Sequence, residues 1–280
     1  MKEIYAGDPK ASVRSAAKAA KVGRGTTHRI LRHDLQEKCF KTVKAQCLGE
    51  RQVAKRLRIC KQLKQMISCG ELDVNKIFFA GEKLFCVGQV GKKSPRNNRL
   101  RQDEGTKKKD IDPKLLIRGK KQGGVGVMAS LGMRANGVGT LRFAERGVKI
   151  NQAAYLDLVK SVYRPEVEML IGGGYTFQQD GATSHTAKSV TKWIKDEGKF
   201  PILPWCPNSP DLNPLDYAAW GILEPRVFDA NPKTEVELRR AIRKAVAALN
   251  PEEIKKSALQ FERRLDMCIA NNGRHFEYQM

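Results

Sequence analysis

Two aspartates in this 280-residue chain occupy positions from which a carboxylate can do chemistry. Asp180 ends the apolar run "GYTFQQD" and precedes "GATSHTA", where a strand tip can aim a side chain into a cleft. Asp216 follows the rigid "NSPDLNP" segment, 36 positions further on, at the start of a helix. Paired carboxylates suit magnesium or manganese, hard cations that take oxygen ligands and leave coordination positions for water and phosphate oxygens. Two such ions activate a water or hydroxyl nucleophile and stabilise the leaving oxygen in phosphodiester cleavage. Each aspartate also has a plain structural use, Asp180 to start a turn and Asp216 to cap a helix. A third carboxylate on a neighbouring strand would favour the catalytic reading.

The elements that must hold these residues read as an α/β domain. Residues 75–87, "NKIFFAGEKLFCV", form a buried strand in which Ile77, Phe78 and Phe79, then Leu84, Phe85 and Val87, surround Gly81. A glycine there packs nothing, so it marks a bulge, a close backbone approach or a lost side chain, and the pattern leaves all three open. "VGVMASLGM" and "GTLRFAERG" read as two strands, "NQAAYLDLVKSVYRPEVEML" as a helix and "GYTFQQD" as a strand. "SHTAKSVTKWIKDEG" is an amphipathic helix with Val190, Trp193 and Ile194 inward. A short strand, a proline-rich loop and three more helices complete the chain; the last is capped by Asn250 and Pro251 and carries Ile254, Phe261, Leu265 and Cys268 at helical spacing.

The charge points to the partner. Lys and Arg number 52 against 30 Asp and Glu, a net +22, of which +12 falls in the first 70 residues. Such an excess fits a polyanion, nucleic acid above all, because each neutralised phosphate releases counterions. No long uncharged apolar run and no basic amphipathic stretch with Trp or Phe anchors favours a membrane, and the N-terminus has no apolar signal segment, so an intracellular protein is expected. The seven cysteines are scattered, with no pair at zinc-knuckle spacing, and read as reduced thiols.

Residues 11–33, "ASVRSAAKAAKVGRGTTHRILRH", divide into two helices around a glycine-bearing turn. Ser12 caps the first, and Val13, Ala16, Ala17 and Ala20 share a face; Thr27, Ile30 and Leu31 form the apolar face of the second. Arg24, Thr26, His28, Arg29 and Arg32 then point outward, the pattern of a helix-turn-helix whose second helix enters the major groove while its arginines hold phosphates. The resulting plan is a helix-turn-helix domain at 1–35, a basic connector and helix at 36–72, and an α/β domain at 73–280 that contains a basic loop, 91–124, with 12 basic and 4 acidic residues. In the helix from Leu48, Val53, Leu57, Cys60 and Ile67 share one side and Arg51, Lys55 and Arg58 the other.

Taken together, "FQQDGATSHTAKSVTKWI", "LPWCPNSPDLNPLDYAAWGILEPRV" and "FAERGVKINQAAYLDLV" resemble the catalytic domain of mariner-like DNA transposases. "KASVRSAAKAAKVGRGTTHRIL" resembles a helix-turn-helix of their DNA-binding region, so the resemblance runs from about Pro9 to the end. It implies a ribonuclease-H-like mixed sheet flanked by helices, preceded by a small all-α domain. It also implies three carboxylates binding two Mg2+ or Mn2+ ions, cut-and-paste movement of an element with inverted terminal repeats, double-stranded DNA as partner, a homodimer and a nuclear location. Asp180 matches the second carboxylate and Asp216 the third, while Asp211 belongs to the adjacent structural loop.

The family's first carboxylate belongs to the pattern Phe-Ser-Asp-Glu-Lys-Leu-Phe, against Phe79-Ala80-Gly81-Glu82-Lys83-Leu84-Phe85 here, so Gly81 stands in its place. Glu82 could substitute only through a local bulge, since a shift of one residue turns a strand side chain to the other face. Ser130 stands where the family has a tryptophan, and the first of its two helix-turn-helix units has no counterpart in these residues. The expectation is a DNA-binding transposase with impaired cleavage, against a non-enzymatic DNA-binding derivative. A regulator with an unrelated ligand domain would instead show no convergence of Asp180 with Asp216.

Overall fold

The strand Ile77–Cys86 (β1) is the centre of the fold, and its alternation decides what lies on each side. Ile77, Phe79 and Phe85 enter one apolar cluster and Phe78 and Ala80 another, as a pleated strand requires when both its faces are covered. The computed structural model describes residues 1–7, 11, 13–35, 48–87, 126–145, 150–171, 174–206 and 208–277. Ser12, the connector at 36–46, Cys39, Cys47 and the basic loop 91–124 lie outside the described residues.

The chain divides into two units, Met1–Ala45 and Gln46–Met280. In the first, the helices are Lys2–Gly7 (α1), Val13–Ala19 (α2) and Arg24–Arg29 (α3), the last continued by a wider turn at Ile30–Asp34. Ala16 and Ala17 are buried where α2 meets α3, small side chains that let the second helix approach closely. Thr27 is buried opposite them and donates its hydroxyl to the Gly23 carbonyl at 3.1 Å, which fixes the first turn of α3.

The second unit begins with Glu50–Ser68 (α4), read from sequence as part of a connecting segment. It packs instead into this unit, against the C-terminal helix, burying Val53, Arg56, Ile59, Cys60 and Leu63 and leaving Leu57 and Ile67 only partly covered. The buried stripe is thus rotated from the apolar one because Arg56 turns inward to an anionic partner, Asp211.

Gly126–Arg134 (β2) runs antiparallel to β1, with Gly137–Val138 (β3) and Arg142–Phe143 (β4) pairing with β2. Thr176–Gln178 (β5) lies parallel to β1 on its other side, giving the order β3-β2-β1-β5 among the described residues. A parallel neighbour requires a crossover, which Gln152–Leu158 (α5), the wider turn Val159–Tyr163 and Arg164–Ile171 (α6) supply. Asn151 caps α5 by accepting from the Ala153 and Ala154 N–H groups. The short strand expected before the proline-rich loop is a single parallel bridge between Phe177 and Ile202.

Lys188–Trp193 (α7) joins α5 on the Phe78 face, with Tyr155, Tyr163, Val190 and Trp193 buried there. Trp220–Asp229 (α8), Glu235–Ala247 (α9) and Pro251–Ala270 (α10) cover the Phe79 face, where Phe261 meets Phe79 edge-on at 5.3 Å. The result is a mixed sheet flanked by helices. No helix among the described residues is long and apolar enough to cross a membrane.

Candidate active site and nucleic-acid interface

Three segments meet at one end of the sheet. On β1, Phe79 lies beside Gln178, the last residue of β5, and Gly81 and Asp180 each follow two residues beyond that pair. The third segment is the loop after the Pro210–Leu212 turn. Asn213 anchors it to β1, its amide 3.5 Å from the Ala80 carbonyl, while its side-chain oxygen accepts from Leu215 N–H at 3.0 Å. Asp216 follows in the turn Leu215–Ala219. A Cβ on Gly81 would lie 3.1 Å from Leu215 Cδ1 and 3.8 Å from Asn213 Nδ2, so the glycine faces the segment that carries Asp216. Asp180 and Asp216 line a single cavity of about 380 Å3, together with Trp205, Asn208 and Asn213.

The two aspartates are electrostatically unlike. Asp216 is pushed up to about 6, by burial first and then by the negative charge of Asp180, with Lys83 opposing. Burial pushes Asp180 the same way, but His185 and the Ala182 N–H outweigh it and hold that carboxyl below its ordinary value. Both of these contacts fall on Oδ1, at 2.6 Å from His185 Nδ1 and 2.9 Å from Ala182 N.

β1 has no bulge at Gly81. Its pairing with β2 is continuous from Phe79 opposite Met133 to Cys86 opposite Gly126, with Glu82 opposite Ser130. Glu82 therefore stands on the face of Phe78 and Ala80, away from Gly81. Its carboxylate nevertheless reaches His185, with Oε2 3.6 Å from Nε2, and accepts from the Tyr163 hydroxyl at 3.2 Å. Burial, opposed by His185, raises the Glu82 pKa, and the charges of Asp180 and Asp216 add to the rise.

In the first unit, Arg24, Thr26, His28, Arg29 and Arg32 are all exposed on α3 and the turn that continues it. Val13, Arg14, Arg24, Gly25 and His28 border an open concavity. Cations and hydrogen-bonding groups on a short helix of this kind are the equipment for phosphate and base-edge contacts.

Comparison with known proteins connects this geometry to a family. No family model matches the chain. The Tc1 transposase of Caenorhabditis elegans is 26% identical over 185 residues, 66% of this chain and 65% of that protein. The Tc3 transposase of the same organism is 29% identical over 46% of this chain and 40% of that protein, and the Tcb2 transposase of Caenorhabditis briggsae 28% over 38% of each. The chain thus spans less than two thirds of the length of each of these relatives. Among solved structures, the Mos1 transposase paired-end complex with left transposon end superposes with a TM-score of 0.79 at 19% identity, covering 98% of this chain and 78% of that one. The catalytic domain of Mos1 mariner transposase gives 0.64 at 19% identity, over 84% and 100%. The chain resembles the mariner-like transposases and has their fold.

On this mariner-like fold, the donor set falls short of a complete metal centre. Among the described residues no three His, Cys, Asp or Glu side chains are arranged as a ligand set. The negative charge of Asp180 adds to the rise in the Asp216 pKa, and Gly81 brings no side chain to the site.

Sequence reasoning missed His185 and the reach of Glu82. A histidine five residues after Asp180 in a polar loop was a local signal, but its contact with Glu82 joins residues far apart in the chain. Tyr155, read as a helix residue, stacks on the His185 ring with centroids 3.7 Å apart and donates to Gln179 Oε1, whose amide in turn donates to the His185 carbonyl.

Proposed function

We propose that the chain is a DNA-binding protein of the mariner transposase type whose second unit retains two of three cation-binding carboxylates and is impaired in DNA cleavage. The observation that carries this reading is the shared cavity of Asp180 and Asp216, with Gly81 directed at the segment holding Asp216. Mos1 structures include a paired-end complex with Mn and a catalytic domain with Mg. In this chain Asp180 and Asp216 would hold one Mg2+ or Mn2+, which supplies charge stabilisation at a phosphate oxygen. With Gly81 in the third position, the site would offer a second ion no carboxylate from β1. Asn213 holds the Asp216 segment against β1, and His185 with the Ala182 N–H holds Asp180.

The DNA partner is a duplex carrying inverted terminal repeats, bound through Arg24, Thr26, His28, Arg29 and Arg32 by a homodimer in the nucleus. Binding of the full chain to such a duplex, followed over a salt series, tests this: affinity should fall steeply as salt rises. No binding, or salt-insensitive binding, would remove the DNA-binding claim. The alternative of a non-enzymatic DNA-binding derivative is favoured by Gly81 alone, and it predicts that restoring an aspartate there yields no cleavage.

A further inference from the structure

Asp180 is half exposed, with 55% of its side-chain surface open, yet the imidazole it touches is 6% exposed. His185 is held from every side: its ring lies flat on Tyr155, its carbonyl accepts from Gln179, its Nε2 faces the Glu82 carboxylate and its Nδ1 meets Asp180 Oδ1. Glu82 is itself fixed by the Tyr163 hydroxyl. Nδ1 lies 2.6 Å from Asp180 Oδ1, a close charge contact rather than a regular hydrogen bond, and it crowds that oxygen. With Nδ1 and the Ala182 N–H both on Oδ1, the oxygen left to meet a cation is Oδ2.

We propose that His185, backed by Glu82, is a positioning residue that occupies Asp180 Oδ1 so that Asp180 presents Oδ2 as a single-oxygen ligand to the divalent cation it shares with Asp216. The inference rests on the cation reading given above. It extends that reading to a Tyr163–Glu82–His185–Asp180 chain of contacts that runs from the Phe78 face out to the half-exposed Asp180. Outer partners that orient a ligating group commonly alter metal affinity when removed, because the ligand must then be ordered at the moment of binding.

The test is Mn2+ titration of the full chain by calorimetry, with thermal unfolding of each variant in parallel. His185→Phe keeps an aromatic ring against Tyr155 but removes both nitrogens, and should weaken Mn2+ binding by about 10- to 100-fold. His185→Asn places an amide donor near the position of Nδ1 and should restore most of the affinity, whatever either variant does to the thermal midpoint. If His185→Phe does not fold, Glu82→Gln supplies the readout, with Mn2+ affinity expected below that of wild type. Wild-type affinity in the variant that is read, or an Asn variant as weak as the Phe one, overturns the proposal while leaving the cation reading in place. A wild-type chain that binds no Mn2+ overturns both.

Discussion

The loop leading to Asp216 depends on a buried ion pair, and breaking it should be costly. Arg56 is fully buried and Asp211 3% exposed; Nη1 meets Oδ1 at 2.9 Å and Nη2 meets Oδ2 at 2.7 Å. Arg56 Nε also donates to the Gly273 carbonyl at 2.9 Å, and Arg264 donates to the Asp211 carbonyl at 2.8 Å. Burial works against the Arg56 charge, but the Asp211 contacts outweigh it and raise its pKa, so Arg56 stays charged. Removing one partner of such a pair leaves an uncompensated buried charge and costs about 3–5 kcal/mol. Asp211→Asn should fall near 3 kcal/mol, because Arg56 keeps the Gly273 carbonyl as an acceptor. Arg56→Met strands the carboxylate and should cost about 4 kcal/mol. The double variant Arg56→Met with Asp211→Leu should return to within about 1–2 kcal/mol of wild type, since apolar replacement of a whole buried pair is often close to neutral. Urea unfolding followed by tryptophan fluorescence reads this directly, as Trp193, Trp205 and Trp220 all lie in the second unit. A loss under about 1 kcal/mol for Asp211→Asn, or additive costs in the double variant, would refute the clamp.

Other consequences are measurable. The Asp216 pKa of about 6 lies above its unfolded value, so the stability it contributes is fully present below about pH 4 and is lost as pH rises through 6. That rise corresponds to about 3 kcal/mol before solvent screening, and because Asp216 keeps contact with water about 1 kcal/mol is expected. Asp216→Asn should therefore be the more stable protein at pH 7 by about that amount and lose its advantage by pH 4, as urea midpoints at the two pH values will show. Arg29→Ala, which removes a cation from the proposed DNA-binding face, should weaken DNA binding across sequences and lower the salt slope by about 1, read from affinities between low and moderate salt. Gly81→Asp should fold, because the nearest obstacle to its Cβ is the end of the Leu215 side chain at 3.1 Å, which has to give by only a few tenths of an ångström, and should tighten Mn2+ binding as measured by calorimetry.

Much of the fold was legible because its signals are local. The apolar run around Phe78 and Phe79, the strand ending before Asp180 and the Asn250–Pro251 cap each declare themselves within a few residues. Burial of Cys60, Cys206 and Cys268 as free thiols likewise follows from their place among apolar neighbours. Arg56 was not legible: it stands among Arg51, Lys55 and Arg58, and only a partner 155 positions away distinguishes it from those solvent-facing cations. His185 was hidden for the same reason, since Glu82 meets it from β1, far away in the chain. Gly81 was visible as an anomaly from the start, but whether it made a bulge depended on β2, whose unbroken register answers the question.

The most direct test of the account is divalent-cation-dependent cleavage of a duplex carrying the element's inverted repeats, by wild type and by Gly81→Asp side by side. The account predicts no cleavage by wild type with Mg2+ or Mn2+, and cleavage by Gly81→Asp that disappears when Asp180 or Asp216 is replaced by Asn. Robust metal-dependent cleavage by the unaltered chain would contradict it.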